Sequence, residues 1–310
     1  MNAERGALNL PSPLAGEGQG RGSRMSSALK LVFNLFKLRI GVVIALTAVA
    51  GYAVQPGAGP EGWRLAVLFL AVLVSSAAAG AFNQYWEHDL DRTMRRTRTR
   101  PFVTGKLVRS PAWVLLIAAL AAGATAAAWA TTNGWAAVYT LGGAVVYAIV
   151  YTVWLKRRTP WSILLGGISG GMPILAGRVL GYGSIDWVGI SFLLAVLFWI
   201  PTHILTFAMK YHEDYEAAGI PTLASVYGFK FTRITIAVSS VLATIFMGVS
   251  AYGISLSWGY MRVLIVLASG LLGLAIYSAI RPSHRLNFGL FKYASVFMLL
   301  VMIMIVLDVI

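Results

Sequence analysis

Asn83, Glu87 and Asp91 recur at intervals of four within the stretch "NQYWEHDLDRTMRRTRTRP", residues 83–101. On a continuing helix of 3.6 residues per turn such positions fall within about 80° of one another, so one face presents an amide and two carboxylates. Oxygen donors of this kind suit a hard divalent cation: Mg2+ takes one or two carboxylates and completes its shell with waters and substrate phosphates. Asp89 points to another face. Immediately downstream stand Arg92, Arg95, Arg96, Arg98 and Arg100, then Lys106, and a guanidinium fork matches phosphate oxygens bidentately. Acids that hold metal beside arginines that hold an anion describe a metal-diphosphate site. An arginine-rich loop salt-bridged to neighbouring acids would have the same composition.

A second charged stretch, "KYHEDYEAAGIPT" at residues 210–222, contributes Lys210, Glu213 and Asp214. A third, "WLKRRTP" at residues 154–160, contributes Lys156, Arg157 and Arg158.

The rest of the chain is apolar. Of 310 residues, 58% are hydrophobic and 12% charged, with a mean hydropathy of +0.74, more than a water-soluble domain carries. Runs close to the length that crosses ~30 Å of hydrocarbon recur at 38–56, 64–86, 111–131, 135–154, 161–181, 186–209, 232–256, 259–280 and 289–310. They predict an all-α polytopic membrane protein of nine transmembrane helices. The net charge of +14 would suit nucleic acid, but its distribution points to a membrane instead. All but three of the 25 lysines and arginines fall on one side of the predicted spans, the exceptions being Arg64, Arg178 and Arg262. The positive-inside rule then puts the N-terminus in the cytoplasm and the C-terminus outside, as in a multi-pass protein of the cell inner membrane.

Carboxylates contribute little to topology, so two acidic clusters on the cytoplasmic side, set among cations, read as a site. They lie four helices apart, each after a helix and before a Gly or Pro break, which suggests a duplicated helical unit. The chain has no cysteine, so disulfides and thiolate ligands are excluded. Residues 1–24 are rich in Gly, Pro and Ser and carry no hydrophobic segment like that of a signal peptide. They are expected to be a disordered extension, with Met25 an alternative start and 25–310 one transmembrane domain. "GGISGGMP", residues 166–173, lacks the strand-turn-helix context of a phosphate loop, and its small residues four apart predict close helix packing. A transporter of an anionic substrate would put charged or broken helices near the bilayer midplane. Here the charge gathers at one interface, which favours chemistry on an amphiphile.

The spacing of Asn83, Glu87 and Asp91 resembles the first aspartate-rich motif of the UbiA superfamily of intramembrane prenyltransferases. "MRRTRTRP" from Met94, "YTVWLKRRTP" from Tyr151, and "PTH" with "EDYEAAGIP" from Pro201 and Glu213 are similar to its haem O synthase branch. The resemblance runs from about residue 30 to the end, and nine helices is the superfamily's number. It implies that farnesyl diphosphate bound with Mg2+ ionises and that a vinyl group of haem B captures the allylic cation, giving haem O. Asn83, Glu87 and Asp91 would hold Mg2+ and the diphosphate, and Asp214 would serve a second metal or help orient the acceptor. Arg95, Arg96 and Arg100 would grip phosphate oxygens, and Lys156, Arg157 and Lys210 would close over the leaving group. His203, Tyr151 and Arg178 are acceptor-binding candidates, His203 as an iron ligand or propionate partner unless it merely satisfies a carbonyl freed at Pro201. The chain departs from the pattern at Glu87, usually Asp, at Tyr211 and Tyr215 in the second motif, in "GIPTLASVYG", which lacks "PMLP", and at Arg178, where Trp is expected. A UbiA-type enzyme acting on a quinone precursor or another lipid would share the same first motif.

Overall fold

A computed structural model describes residues 29–53 and 62–309. The extension 1–24 and Met25 lie outside the described residues. The helices are α1 (Leu29–Leu35), bent by 53° from α2 (Leu38–Ala53), then α3 (Gly62–Trp86), α4 (His88–Thr93), α5 (Pro111–Thr131) and α6 (Gly134–Val145). Helix α6 runs on as a π-helical segment, Val146–Leu155. After it come α7 (Ser162–Gly166), α8 (Ile168–Tyr182), α9 (Trp187–Lys210), α10 (His212–Ala217), α11 (Leu223–Gly253), α12 (Trp258–Ile280) and α13 (His284–Val309). Among the described residues eight helices are long and apolar enough to cross a membrane, or nine if the bent α1–α2 pair is one span. The protein is therefore the all-α, multi-pass bundle that the hydropathy predicts. The short α4 and α10 do not span. They cap the end of the bundle where the charged stretches lie.

Spans that are apolar all round take their ends from local chemistry rather than from an amphipathic stripe. Asn133 caps α6 by accepting the Trp135 N–H at 2.8 Å. Thr222 and Ser225 form a reciprocal capping box at the start of α11, each satisfying an orphan backbone donor. Helix α13 starts five residues before its apolar window because a hydropathy average excludes the polar first turn, His284 to Asn287, although helical hydrogen bonding includes it.

Of the four buried clusters among the described residues, two carry most of the packing. The larger, among α9, α11, α12 and α13, centres on Phe192, Leu271 and Phe297; the smaller, among α2, α3, α6 and α8, centres on Ala48, Leu68 and Ala176. In the smaller core a Cβ on Gly177 of α8 would collide with the Ala48 carbonyl oxygen of α2, so the two backbones touch. The glycine spacing in residues 166–173 has the predicted effect. Gly170 and Gly171 admit Ile200 and Leu193 of α9, and a Cβ on Gly166 would come within 2.6 Å of the Tyr151 ring.

Arg178 is not at the charged end. It is buried near the end of α8, where its Nε donates to Asp186 Oδ1 at 2.9 Å and its Nη2 to Oδ2 at 2.5 Å. Asp186 is the N-cap of α9 and also accepts the Gly189 N–H at 3.0 Å. The 24 residues of α9 separate this pair from Lys210 by about 35 Å at 1.5 Å per residue. Arg178, an acceptor-binding candidate by resemblance, thus ties α8 to α9 across their connection through its Nε and Nη2. Burial opposes ionisation of Asp186, yet the Arg178 and Gly189 hydrogen bonds outweigh it and hold the carboxyl below the usual carboxylate range.

Asp186→Ala strands a buried guanidinium and should cost about 3 kcal/mol of stability, most of it recovered by adding Arg178→Met. The lowered Asp186 pKa makes the pair's contribution complete above about pH 4 and lost as pH falls through the folded value. Denaturation in detergent with and without the second substitution checks this, and an additive double mutant would refute it.

Candidate active site

The helix of Asn83 does not continue unbroken: α3 ends at Trp86, and Glu87 sits in the junction with φ −91° and ψ 17°. The i to i−4 pattern nevertheless survives. The Glu87 N–H donates to the Asn83 carbonyl at 3.0 Å and the Asp91 N–H to the Glu87 carbonyl at 2.8 Å. The three side chains therefore share a face, with exposures of 3%, 1% and 2%.

An ionised carboxylate so deeply buried is tolerated only with a cation at hydrogen-bonding distance, and each member of the row has one. Lys156 Nζ reaches both Glu87 oxygens at 2.6 Å. Arg100 Nη1 reaches the two Asp91 oxygens at 2.8 and 2.6 Å. Lys37 Nζ donates to Asn83 Oδ1 at 3.1 Å. Burial pushes the Asp91 carboxyl up and Arg100 pulls it back, with burial the stronger influence.

Three different local devices deliver these cations. Lys156 follows the π-helical segment, whose last bond runs from the Lys156 N–H to the Tyr151 carbonyl at 2.9 Å. The same segment presents Thr152, which accepts from Asn83 Nδ2 at 3.2 Å while donating to the Tyr147 carbonyl at 2.9 Å. That fixes the Asn83 amide with its oxygen toward Lys37. Arg100 returns to Asp91 because residues 94–104 fold as successive turns: Thr97 N–H to Met94 carbonyl, Arg100 N–H to Thr97 carbonyl, Val103 N–H to Arg100 carbonyl. Thr97 Oγ1 also donates to the Asp91 carbonyl at 3.1 Å. Phe102 anchors the loop edge-on to Tyr85 and Trp113, at centroid distances of 5.6 and 5.5 Å. Lys37, in the break between α1 and α2, is the residue that sequence reasoning missed, since in "LFKLRI" it reads as one more topology-setting cation at the head of a span.

The second acidic cluster meets the first through the backbone. Asp214, 8% exposed, accepts the N–H groups of Arg95 at 3.4 Å and Arg96 at 3.3 Å. The structure does not add it to the carboxylate row, and among the described residues no three acidic or histidine side chains gather around one point. Asn83, Glu87 and Asp91 form one row of buried oxygen donors, and Asp214 holds the backbone of the arginine loop. The Arg96 guanidinium lies over Phe207 at 4.9 Å and Tyr211 at 5.7 Å, and Lys210 Nζ lies 3.3 Å from the Phe288 ring centre. Arg157 forks onto Asp89 with two 2.9 Å bonds in an exposed pair, an arrangement that adds little stability. The Arg95 side chain is exposed and pairs with no carboxylate among the described residues.

Two apolar features flank the row. A cavity of about 120 Å³ opens between α2, α3, α6 and α8, with Lys37 and Tyr147 in its wall beside Ile44, Val72, Ala144 and Pro173. Tyr151 packs on Tyr147 at 5.6 Å. Further along α9, His203 is stacked between Trp199 at 4.9 Å and Phe291 at 4.6 Å, with Nδ1 3.1 Å from Ser295 Oγ. Ser295 donates its one proton to the Phe291 carbonyl at 2.8 Å. Ser295 Oγ thus bridges the His203 ring and the Phe291 carbonyl, and which His203 nitrogen carries the proton follows from the tautomer.

A family model described as the UbiA prenyltransferase family matches residues 44–301. A relative named protoheme IX farnesyltransferase 2, from Paramagnetospirillum magneticum, is 47% identical over 202 residues, 65% of this chain and 70% of its own. Another, protoheme IX farnesyltransferase from Desulforudis audaxviator, is 32% identical over 273 residues, 86% of this chain and 84% of its own. Among solved structures, a UbiA homologue from Archaeoglobus fulgidus bound to DMAPP and Mg2+ has the same fold, with a TM-score of 0.64 at 15% identity over 89% of this chain and 98% of that one.

If Phe102 is what holds the arginine loop against the bundle, Phe102→Ala should open residues 92–109 to trypsin and cost about 3–5 kcal/mol. Limited proteolysis followed by mass mapping reads this directly. Cleavage there at the wild-type rate would show that the turns hold the loop without their anchor.

Proposed function

This chain belongs to the UbiA prenyltransferase family, and we propose that it transfers the farnesyl group of farnesyl diphosphate to a vinyl group of haem B, forming haem O. The observation that carries the reading is the row of three buried oxygen donors, each held by its own cation, beside an apolar cavity. The names of the relatives point to farnesyl transfer and to haem as acceptor.

The donor set fits a hard cation, with two carboxylates and an amide oxygen on one helical face and no soft ligand among them. Asn83, Glu87 and Asp91 would hold Mg2+, which would screen the charge of the bound diphosphate. The chain's own cations do the rest. Lys156 and Arg100 would turn from the carboxylates toward phosphate oxygens, joined by Arg95, Arg96, Arg157 and Lys210. As the allylic C–O bond breaks, negative charge grows on the diphosphate, so preorganised cations in a poorly hydrated pocket favour the transition state over the bound substrate. The farnesyl cation needs a dry, electron-rich wall, which Tyr147 and Tyr151 supply. Its C1 bonds to the terminal vinyl carbon, the adjacent carbon takes hydroxyl from water, and one proton and diphosphate are released. The acceptor is a flat aromatic ring system, and the Trp199–His203–Phe291 stack would offer it aromatic surface and the imidazole of His203.

The protein is a multi-pass membrane protein. Its charged end faces the cytoplasm from a cell inner membrane with the C-terminus outside, and 25–310 forms one prenyltransferase domain. The one-sided distribution of lysine and arginine supports this orientation.

Purified protein given Mg2+, farnesyl diphosphate and haem B should release diphosphate and yield a haem heavier by a farnesyl and a hydroxyl group. Asp91→Asn should lower that yield by about 100-fold or more while the protein still inserts and stays monodisperse. Prenylation of a quinone precursor in place of haem would overturn the acceptor. Full activity of Asp91→Asn would overturn the role of the row.

A further inference from the structure

Lys37 is a cation to which the mechanism above gives no task. It is one of two non-glycine residues, among those described, with a left-handed backbone, at φ 47°, a conformation kept only where the surroundings over-determine it. Here they do. The break between α1 and α2 turns the side chain inward, and its stem runs along Gly80 of α3, where a Cβ would come within 3.4 Å of Lys37 Cδ. The ammonium ends 3.1 Å from Asn83 Oδ1.

That partner is neutral. The two carboxylates of the row are already engaged, Glu87 by Lys156 and Asp91 by Arg100, and Lys37 forms no ion pair among the described residues. A half-buried ammonium whose only strong acceptor is an amide is poorly compensated. Lys37 is also the charged member of the wall of the apolar cavity. It therefore stands where the polar row meets hydrocarbon space, the point at which a prenyl diphosphate joins its phosphate to its chain.

We infer that Lys37 is a further diphosphate-binding residue, gripping the phosphate oxygen nearest the prenyl carbon, and that Asn83 holds it in place until the substrate arrives. The inference rests on the prenyl-transfer reading. When a phosphate oxygen enters, the ammonium exchanges a neutral acceptor for an anionic one, a contact about twice as strong. The exchange also frees Asn83 Oδ1, whose orientation the Nδ2 bond to Thr152 preserves. The departing oxygen is where negative charge grows during ionisation, so the contact strengthens toward the transition state.

The test measures binding of non-reactive farnesyl thiodiphosphate with Mg2+, and separately of uncharged farnesol, to wild type, Lys37→Met and Lys37→Gln. The Gln side chain can still donate to Asn83 while lacking the charge. Both variants should bind the thiodiphosphate about 10- to 100-fold more weakly and farnesol as well as wild type does. Equal loss for both ligands would make Lys37 a packing residue, and no loss for either would make it a bystander; each result overturns the inference. Wild type that fails to bind the thiodiphosphate would overturn the prenyl-transfer reading itself, and the inference with it.

Discussion

A carboxylate with 1% or 2% of its surface exposed inside a membrane bundle remains ionised only if a cation touches it. Glu87 and Asp91 impose that condition, and much of the architecture at the charged end exists to meet it. The π-helical segment ends at Lys156, and a run of tight turns brings Arg100 back to a residue nine positions earlier. Around these contacts the packing is dense, with Phe102 pinned between Tyr85 and Trp113 and Gly166 admitting the Tyr151 ring.

Such pairing is also a chemical opportunity. On the proposed function, a carboxylate satisfied by a lysine would exchange for a carboxylate that binds metal beside a lysine that binds phosphate, a swap that conserves the number of opposite-charge contacts. The carboxylates need not be left bare while the site waits, nor must the cations be recruited from water when an anion enters. The second half of the site contributes by shape. Asp214 fixes the backbone of Arg95 and Arg96, and Arg96 rests on Phe207 and Tyr211, so the loop's cations are aimed before a substrate enters. An aromatic stack along α9 and α13 then continues from that mouth into the bundle.

Much of this was legible in the chain. Four-residue spacing put Asn83, Glu87 and Asp91 on one face even though the helix breaks at Glu87, because the carbonyl ladder persists through the break. Charge sorting brought the acidic stretches that follow α3 and α9 to the same end. What was hidden depended on geometry without a compositional signal. Lys37 is one basic residue among several at the head of a span, and only its left-handed backbone and its groove along Gly80 turn it inward. The π-helical register of residues 146–155 has no signature in a run of Val, Tyr and Leu. Asp214 was given its role by resemblance, and its partners, backbone amides 118 and 119 positions away, leave no mark in its own stretch of sequence. Arg178 entered as an acceptor candidate by resemblance, and its partner Asp186, eight residues on, engages it at the far end of the bundle.

The central claim is that the cations now holding the buried row are the ones that will hold the diphosphate. Determining the structure of the protein with Mg2+ and farnesyl thiodiphosphate tests it most directly. Lys156 and Arg100 should be found within hydrogen-bonding distance of phosphate oxygens, with Glu87 and Asp91 turned to the metal. A diphosphate bound elsewhere, with Lys156 still on Glu87 and Arg100 still on Asp91, would contradict the account.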